Sequence, residues 1–276
     1  MVNRINRRTL NRKKLKGNYA LRDIIVNILP VVSIFGLILL WNFAARYASE
    51  VTPSPSDVWN RFILLFHEPI SGLGLFGHVG ISLKRVLIAL LFSSIIGIIL
   101  GVFIGWNRTF RRTIGTLFEI IRPIPPIAWL PLVVMLFGIG EFPKILIVFY
   151  GTLMPIVINT YTGIKMVDSL LIDVGKSFQG NHKQLLWEIA IPSSLPNVMA
   201  GLRNAVGAGW GVVLAAEMIG AKQGVGFLVQ RAMEFYDPAL IFVGIIAIGV
   251  VGALLSAIIE IIERRVCPWA YKREQD

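Results

Sequence analysis

Few side chains in this sequence are of a type and spacing that could do chemistry. Gly175-Lys176-Ser177 is the tail of a phosphate-binding loop, but that motif needs a further glycine five residues before Gly175 and a preceding strand. Position 170 is Leu170, so the chain is not expected to bind ATP itself. Cys267 is the one cysteine and allows no internal disulfide, and His67, His78 and His182 lie at no metal-ligand spacing. No nucleophile, metal cluster or acid pair shares a segment, which argues against an enzyme. What remains is a handful of ionisable groups inside apolar runs: Arg122, with Glu119 three residues before it, and Glu217, with Arg203 earlier in the same run. Such a group inside a span points to function by default. A guanidinium suits a small oxyanion, while Glu119, on the same helical face, offers Arg122 a neutralising partner instead.

The elements that must position these groups are membrane spans. Of the 276 residues, 55% are hydrophobic, and the mean hydropathy is +0.70, far too apolar for an ordinary soluble domain. Crossing the ~30 Å hydrocarbon core takes about 20 apolar residues. Runs over 29–45, 86–106, 145–164, 198–219 and 240–262, with a proline-broken run around Arg122 as the third, predict an all-α polytopic membrane protein of six transmembrane helices. The second run carries Gly97, Gly101 and Gly105 at four-residue intervals, a stripe for close helix approach within the chain or to a second copy.

The net charge of +11 reports orientation rather than nucleic acid, because Lys and Arg collect in cytoplasmic loops and no aromatic interleaving accompanies the charge. Residues 1–28 read as a basic cytoplasmic N-terminal tail and 266–276 as a short polar cytoplasmic C-terminal tail, with the transmembrane domain over 29–265. The first apolar run is read as an anchor, since no small-x-small cleavage site follows it. Six crossings put both termini inside, together with Arg108, Arg111, Arg112, Lys176, Lys183, Arg264 and Arg265. Lys84 and Arg85 are the exception, expected to snorkel from the start of the second span to the outer interface. Between the first two spans, Pro53-Ser54-Pro55-Ser56 is an extended entry, with Ser56 expected to cap a short helix over 57–66.

Two stretches break the pattern of plain spans. In Arg122-Pro-Ile-Pro-Pro-Ile-Ala-Trp-Leu-Pro131, four prolines remove backbone donors and resist helix. Broken backbone survives at membrane depth only where protein or a water-filled path satisfies it, so Arg122, Pro123, Pro125, Pro126 and Trp129 are candidate pathway residues. The second stretch, 168–192, is too polar to cross. Leu170, Val174 and Phe178 share one face of a first short helix, which Gly180 is expected to end as a left-handed residue. Asn181 with Gln184 forms a capping-box start, Leu185, Leu186 and Ile189 give the next helix an apolar stripe, and Pro192 is expected to close it.

The stretch 168–192 resembles the EAA loop of the inner-membrane permease subunits of binding-protein-dependent ABC importers: Glu-Ala-Ala, three residues, Gly, nine residues, Ile, one residue, Leu-Pro. Asp173 stands at the Glu position, Val174 and Gly175 at the Ala positions, and Ile189, Ile191 and Pro192 at the end. Gln179 occupies the Gly position, with Gly180 one place later, an offset that would turn a helical face by roughly 100°. The Arg-Pro-x-Pro-Pro segment, Trp-x-Pro, Phe137-Gly-Ile-Gly-Glu141 and the earlier Pro-Ser-Pro-Ser are similar to the nitrate, sulfonate and taurine branch of that superfamily.

The resemblance, over about 53–265, implies a good deal. The loop would be the coupling element held by a separate ATP-binding cassette ATPase subunit, present in two copies and carrying the ATP and Mg, so that no cofactor belongs to this chain. Two permease copies, as a homodimer, would form the pore in a bacterial cell membrane, fed by an extracytoplasmic solute-binding protein. Glu217 fits the family's Ala-Glu and joins the candidate path. The solute would be an anion of the aliphatic sulfonate, taurine or nitrate class; bicarbonate or a pyrimidine-type vitamin precursor stays open. A different class, an ion-coupled secondary transporter, would bring inverted repeats and intramembrane carboxylates for coupling ions, neither of which is clear in the sequence.

Overall fold

The computed structural model describes residues 28–48 and 51–269. The expected tail over 1–28 therefore lies almost wholly outside the described residues, as does most of the tail over 266–276. Every named element among the described residues is a helix, as lipid demands of a chain that must satisfy its own backbone. Contacts divide the chain into two units, 1–61 and 62–276.

The first unit holds helix α1 (Ile28–Tyr47) and the start of α2 (Pro55–His67). The cap of α2 differs from expectation. Ser54, not Ser56, closes it: the Asp57 carboxylate accepts the Ser54 amide at 2.9 Å and hydroxyl at 2.6 Å, while the Asp57 amide donates back to the Ser54 hydroxyl at 3.2 Å. Pro55 then fills the first helical position, where a missing N–H is harmless.

The second unit continues with α3 (Leu75–Trp106), α4 (Arg108–Ile121), α5 (Pro126–Phe137), α6 (Glu141–Lys165), α7 (Ser169–Ser177), α8 (His182–Met218), α9 (Val225–Glu234) and α10 (Pro238–Val266). By length and composition, five described helices can cross a membrane, α1, α3, α6, α8 and α10. A sixth span appears if α4 and α5, bent by 85° at the prolines, count as one.

Helices α3, α6 and α8 pack through small residues. A Cβ on Gly97 would meet Ile156 at 2.9 Å, one on Gly101 the Val157 carbonyl at 3.0 Å, and one on Gly105 Ile164 at 2.7 Å. The glycine stripe of α3 therefore serves contact with α6 inside this chain. Gly201 of α8 lies equally close to Asn159, and Gly163 of α6 to Asn197. In lipid, where burying apolar surface gives helices little reason to associate, such close approach is the main source of attraction. Trp210 anchors the buried cluster of Val86, Ala89, Val148 and Val213, and its indole N–H reaches the Ile248 carbonyl of α10 at 2.8 Å.

Two expectations fail along these helices. α3 begins at Leu75, eleven residues before the apolar run at 86, so Arg85 sits inside the helix and is 3% exposed rather than snorkelling. Pro192 closes nothing: the second loop helix and the fifth span are one 37-residue helix, α8. Its stretch Leu185–Ala190 is π-helical. A wide i→i+5 turn displaces the carbonyl that the proline ring would otherwise strike and leaves the ring room to pass.

Candidate functional site

At the helix break, Arg122 follows the last turn of α4 and the prolines turn the chain sharply into α5. The Tyr150 hydroxyl of α6 donates to the Ile121 carbonyl at 3.0 Å, supplying one of the partners that the prolines cannot. A groove of about 480 Å³ opens here, lined by Arg122, Pro125 and Pro126 on one side and by Gly151, Pro155, Gly207 and Gly211 on the other. Among the described residues, a Cβ on Gly207 or Gly211 would meet nothing within 4 Å. These two glycines of α8 thus leave a smooth wall to open space, unlike Gly201 two turns earlier. The Arg122 guanidinium lies 3.5 Å from Glu119, with both side chains about half exposed. Trp129 packs edge-on to Tyr150, and its indole N–H is buried without a hydrogen-bond partner. Pro123, Trp129 and Glu217 do not line this groove.

In the polar stretch, Asp168 caps α7 by accepting the Leu170 amide at 2.9 Å. The helix ends in a Schellman motif, with Gln179 N–H donating to Lys176 O at 2.8 Å and Gly180 N–H to Gly175 O at 3.0 Å. Here the sequence reading is corrected: Gln179 holds the left-handed conformation, at φ 60°, and Gly180 does not. Gly180 is needed small for another reason, since its Cβ would meet the Gly175 carbonyl at 2.9 Å. The left-handed turn therefore falls at position 179. Gly175 packs directly against Leu185 and Ile189 of α8, which leaves no room for a side chain there. The capping box is complete, with Asn181 and Gln184 exchanging bonds of 2.9 Å each. Leu170, Val174 and Phe178 stay exposed along α7, and Asp173 pairs with Lys176 at 2.8 Å. The Trp106 indole at the end of α3 donates to His182 Nε2 at 2.6 Å.

At the opposite end of α3, His78, Ser82 and Arg85 share one buried face. The Arg85 guanidinium grips Glu141 with two bonds, of 2.7 and 2.6 Å, and reaches Glu217 at 2.6 Å and the Gln223 carbonyl at 2.9 Å. Glu217, 1% exposed, also accepts the Ser82 hydroxyl at 2.8 Å and the Gly226 amide at 2.9 Å. The Val225 amide donates to Ser82 at 2.9 Å and the Gly224 amide to His78 Nδ1 at 3.0 Å. Because Nδ1 accepts, the ring proton must sit on Nε2, which donates to the Ile70 carbonyl at 3.0 Å. Gly224, at φ 120° and pressed against the Glu217 carboxylate, leaves no room for a side chain.

The family model of the binding-protein-dependent transport system inner membrane component matches residues 93–268. The chain belongs to that family. The taurine transport system permease protein TauC of Escherichia coli (strain K12) is 36% identical over 218 residues, 79% of each chain. The nitrate import permease protein NrtB of Synechocystis sp. is 30% identical over 246 residues, 87% of this chain and 89% of the relative. Among solved structures, an inward-facing MetNI methionine ABC transporter superposes with a TM-score of 0.60 at 19% identity, covering 67% of this permease and 92% of that chain. That likeness carries the fold alone.

For an inner-membrane permease, the structure groups the sequence-derived residues into three places rather than two. Arg122, Pro125 and Pro126 share the groove; Gly175, Gly180 and Ile189 meet in the loop; Glu217 belongs with Arg85, Ser82 and Glu141 in a closed network. Arg85 is the residue that sequence reasoning missed. Its signal was present: polar residues at 78, 82 and 85 follow a helical period, and a lone carboxylate at 217 inside an apolar run calls for a cation. A second such pair, Arg203 with Glu263, ties α8 to α10.

Proposed function

We propose that this permease passes a small anion of the aliphatic sulfonate, taurine or nitrate class across a bacterial cell membrane along the groove at the α4–α5 break, driven by a separate ATPase. The single observation that carries this is the groove itself. It sets the Arg122 guanidinium and proline-freed backbone opposite Gly207 and Gly211, where a Cβ would meet nothing within 4 Å among the described residues. A broken helix is tolerated in lipid where it lines a cavity, and a guanidinium offers paired donors to an oxyanion. The names of the taurine and nitrate relatives support the solute class.

The exposed stripe of Leu170, Val174 and Phe178 supports the coupling role of the loop 168–192. A capped helix with an open apolar face is a fit lever for an ATPase subunit, two copies of which would serve a permease homodimer fed by a solute-binding protein. With this loop facing the ATPase, both termini are cytoplasmic. Reconstitution with the ATPase subunit and the binding protein tests the proposal: uptake of taurine or nitrate should require ATP, and Arg122→Gln should lower it about tenfold or more while Asp173→Lys leaves ATP hydrolysis without transport. Uptake that survives ATP depletion and collapses with the ion gradient would overturn it.

A further inference from the structure

We propose that Arg85 is a positioning residue of transport: through Glu141 and Glu217 it locks α9 onto the ends of α3, α6 and α8, so that this end of the chain moves as one body. The inference rests on the transport reading above.

Three observations carry it. First, the amides of Gly224, Val225 and Gly226, where α9 begins, find their partners on other helices, in His78 and Ser82 of α3 and Glu217 of α8. Orphan amides at a helix start are ordinarily met by a local cap or by water; here α9 cannot leave its neighbours without stranding them. Second, Glu217 is held by a guanidinium, a hydroxyl and a backbone amide, while Arg85 makes three further bonds, to Glu141 and Gln223. Neither group keeps a free face for a solute, and Glu217 does not line the groove. Third, the arrangement joins segments 132 to 146 residues apart in sequence between α3 and the 217–224 region. It lies roughly 30 Å along α3 from Trp106 and the polar loop, at 1.5 Å per residue. A force arriving at the loop would therefore move this end as a whole.

The test uses the assembled transporter in proteoliposomes and asks whether a covalent lock can replace the ionic one. Ser82 Oγ lies 2.9 Å from the Val225 amide, which brings the two backbones close, so Ser82→Cys with Val225→Cys is oxidised and the disulfide is verified by loss of free thiol before transport is read. Cys267, the sole native cysteine, is buried, and burial followed by the Glu263 carboxylate pushes its thiol pKa up, which keeps it out of the oxidation.

We expect the disulfide to leave the uptake rate within about twofold of the reduced protein. Arg85→Met should lower the maximal rate at least tenfold at unchanged half-saturating solute. Arg85→Lys should recover part of the rate, and adding the disulfide to Arg85→Met should recover most of it. Should Arg85→Met fail to fold, Arg85→Met with Glu217→Gln removes both charges and undergoes the same rescue. A disulfide that arrests transport, reversibly with reductant, would show α9 leaving α3 during the cycle and overturn the proposal. Failure of the disulfide to rescue folded Arg85→Met, or a raised half-saturating solute concentration in that variant, would overturn it too. Loss of ATP dependence in the unsubstituted protein would instead strike the transport reading.

Discussion

The two ends of α3 meet the rest of the chain in opposite ways. Near its start, His78, Ser82 and Arg85 are buried and bonded to groups more than 130 residues away in sequence. At its finish, Trp106 makes one indole bond to His182, and the bonds around that loop close over a few residues: Asp168 to Leu170, Asp173 to Lys176, Asn181 to Gln184. Long-range buried bonds fix the position of a segment in the fold, whereas local exposed ones fix only its shape. The loop is therefore a preformed piece, and the Arg85 end is a rigid mount whose helices hold one another in place.

The sharpest way to break this contrast is to unpair the mount. Glu217→Ala leaves the Gly226 amide and one face of the buried Arg85 guanidinium without partners, and each buried group left unsatisfied costs about 1–3 kcal/mol. The expected result is a large fall in the detergent thermal-unfolding midpoint, whereas Asp173→Ala, whose partner is exposed, should move it by less than about 1 kcal/mol equivalent. Equal shifts would erase the difference between the ends.

A change midway comes next. Gly101→Ala would put a Cβ 3.0 Å from the Val157 carbonyl and against Thr160, an overpacking that costs about 1–3 kcal/mol. The same thermal measurement should rank it between the other two.

At the loop, the comparison can be sharpened by a gain. Gln179 holds a left-handed backbone at φ 60°, which costs a residue with a Cβ roughly 1 kcal/mol. Gln179→Gly should slow amide exchange across the end of α7 about fivefold, with no change near Arg85. Gly180→Ala should speed exchange there, because its Cβ would meet the Gly175 carbonyl at 2.9 Å.

The smallest effect lies outside both ends. The Ser54 hydroxyl and then the Ser54 amide hold the Asp57 carboxyl below the usual aspartate range. A carboxylate with a depressed folded value adds stability above its unfolded value, and loses it as pH falls through the folded one. Amide exchange at the start of α2 should therefore quicken only in that acidic range, and Asp57→Asn should flatten the dependence.

Local information made much of this readable in sequence. The proline break, the Asn181–Gln184 capping box and the apolar runs are each written within a few residues, and the structure keeps them. Gly97, Gly101 and Gly105 declared a close approach but not its partner, since the facing residues of α6 lie some 55–60 positions away. The left-handed residue was misplaced by one because glycine preference pointed to Gly180, while the Schellman bonds and the tight fit against Gly175 decided for Gln179. Arg85 was misread because hydropathy marks where an apolar run starts, not where a helix starts; the polar first turns of α3 are stabilised by Glu141 and Glu217, which only the fold brings near. The groove was half legible: the prolines announced it, but the open glycines of α8 did not.

Continuity of α8 through Pro192 and Pro196 has a mechanical meaning. One strut of roughly 55 Å, at 1.5 Å per residue, begins in the polar loop and finishes beside Glu217. It carries Gly207 and Gly211 along its flank. Tilting such a seesaw about its middle would swing the smooth glycine wall past Arg122 without any joint having to bend.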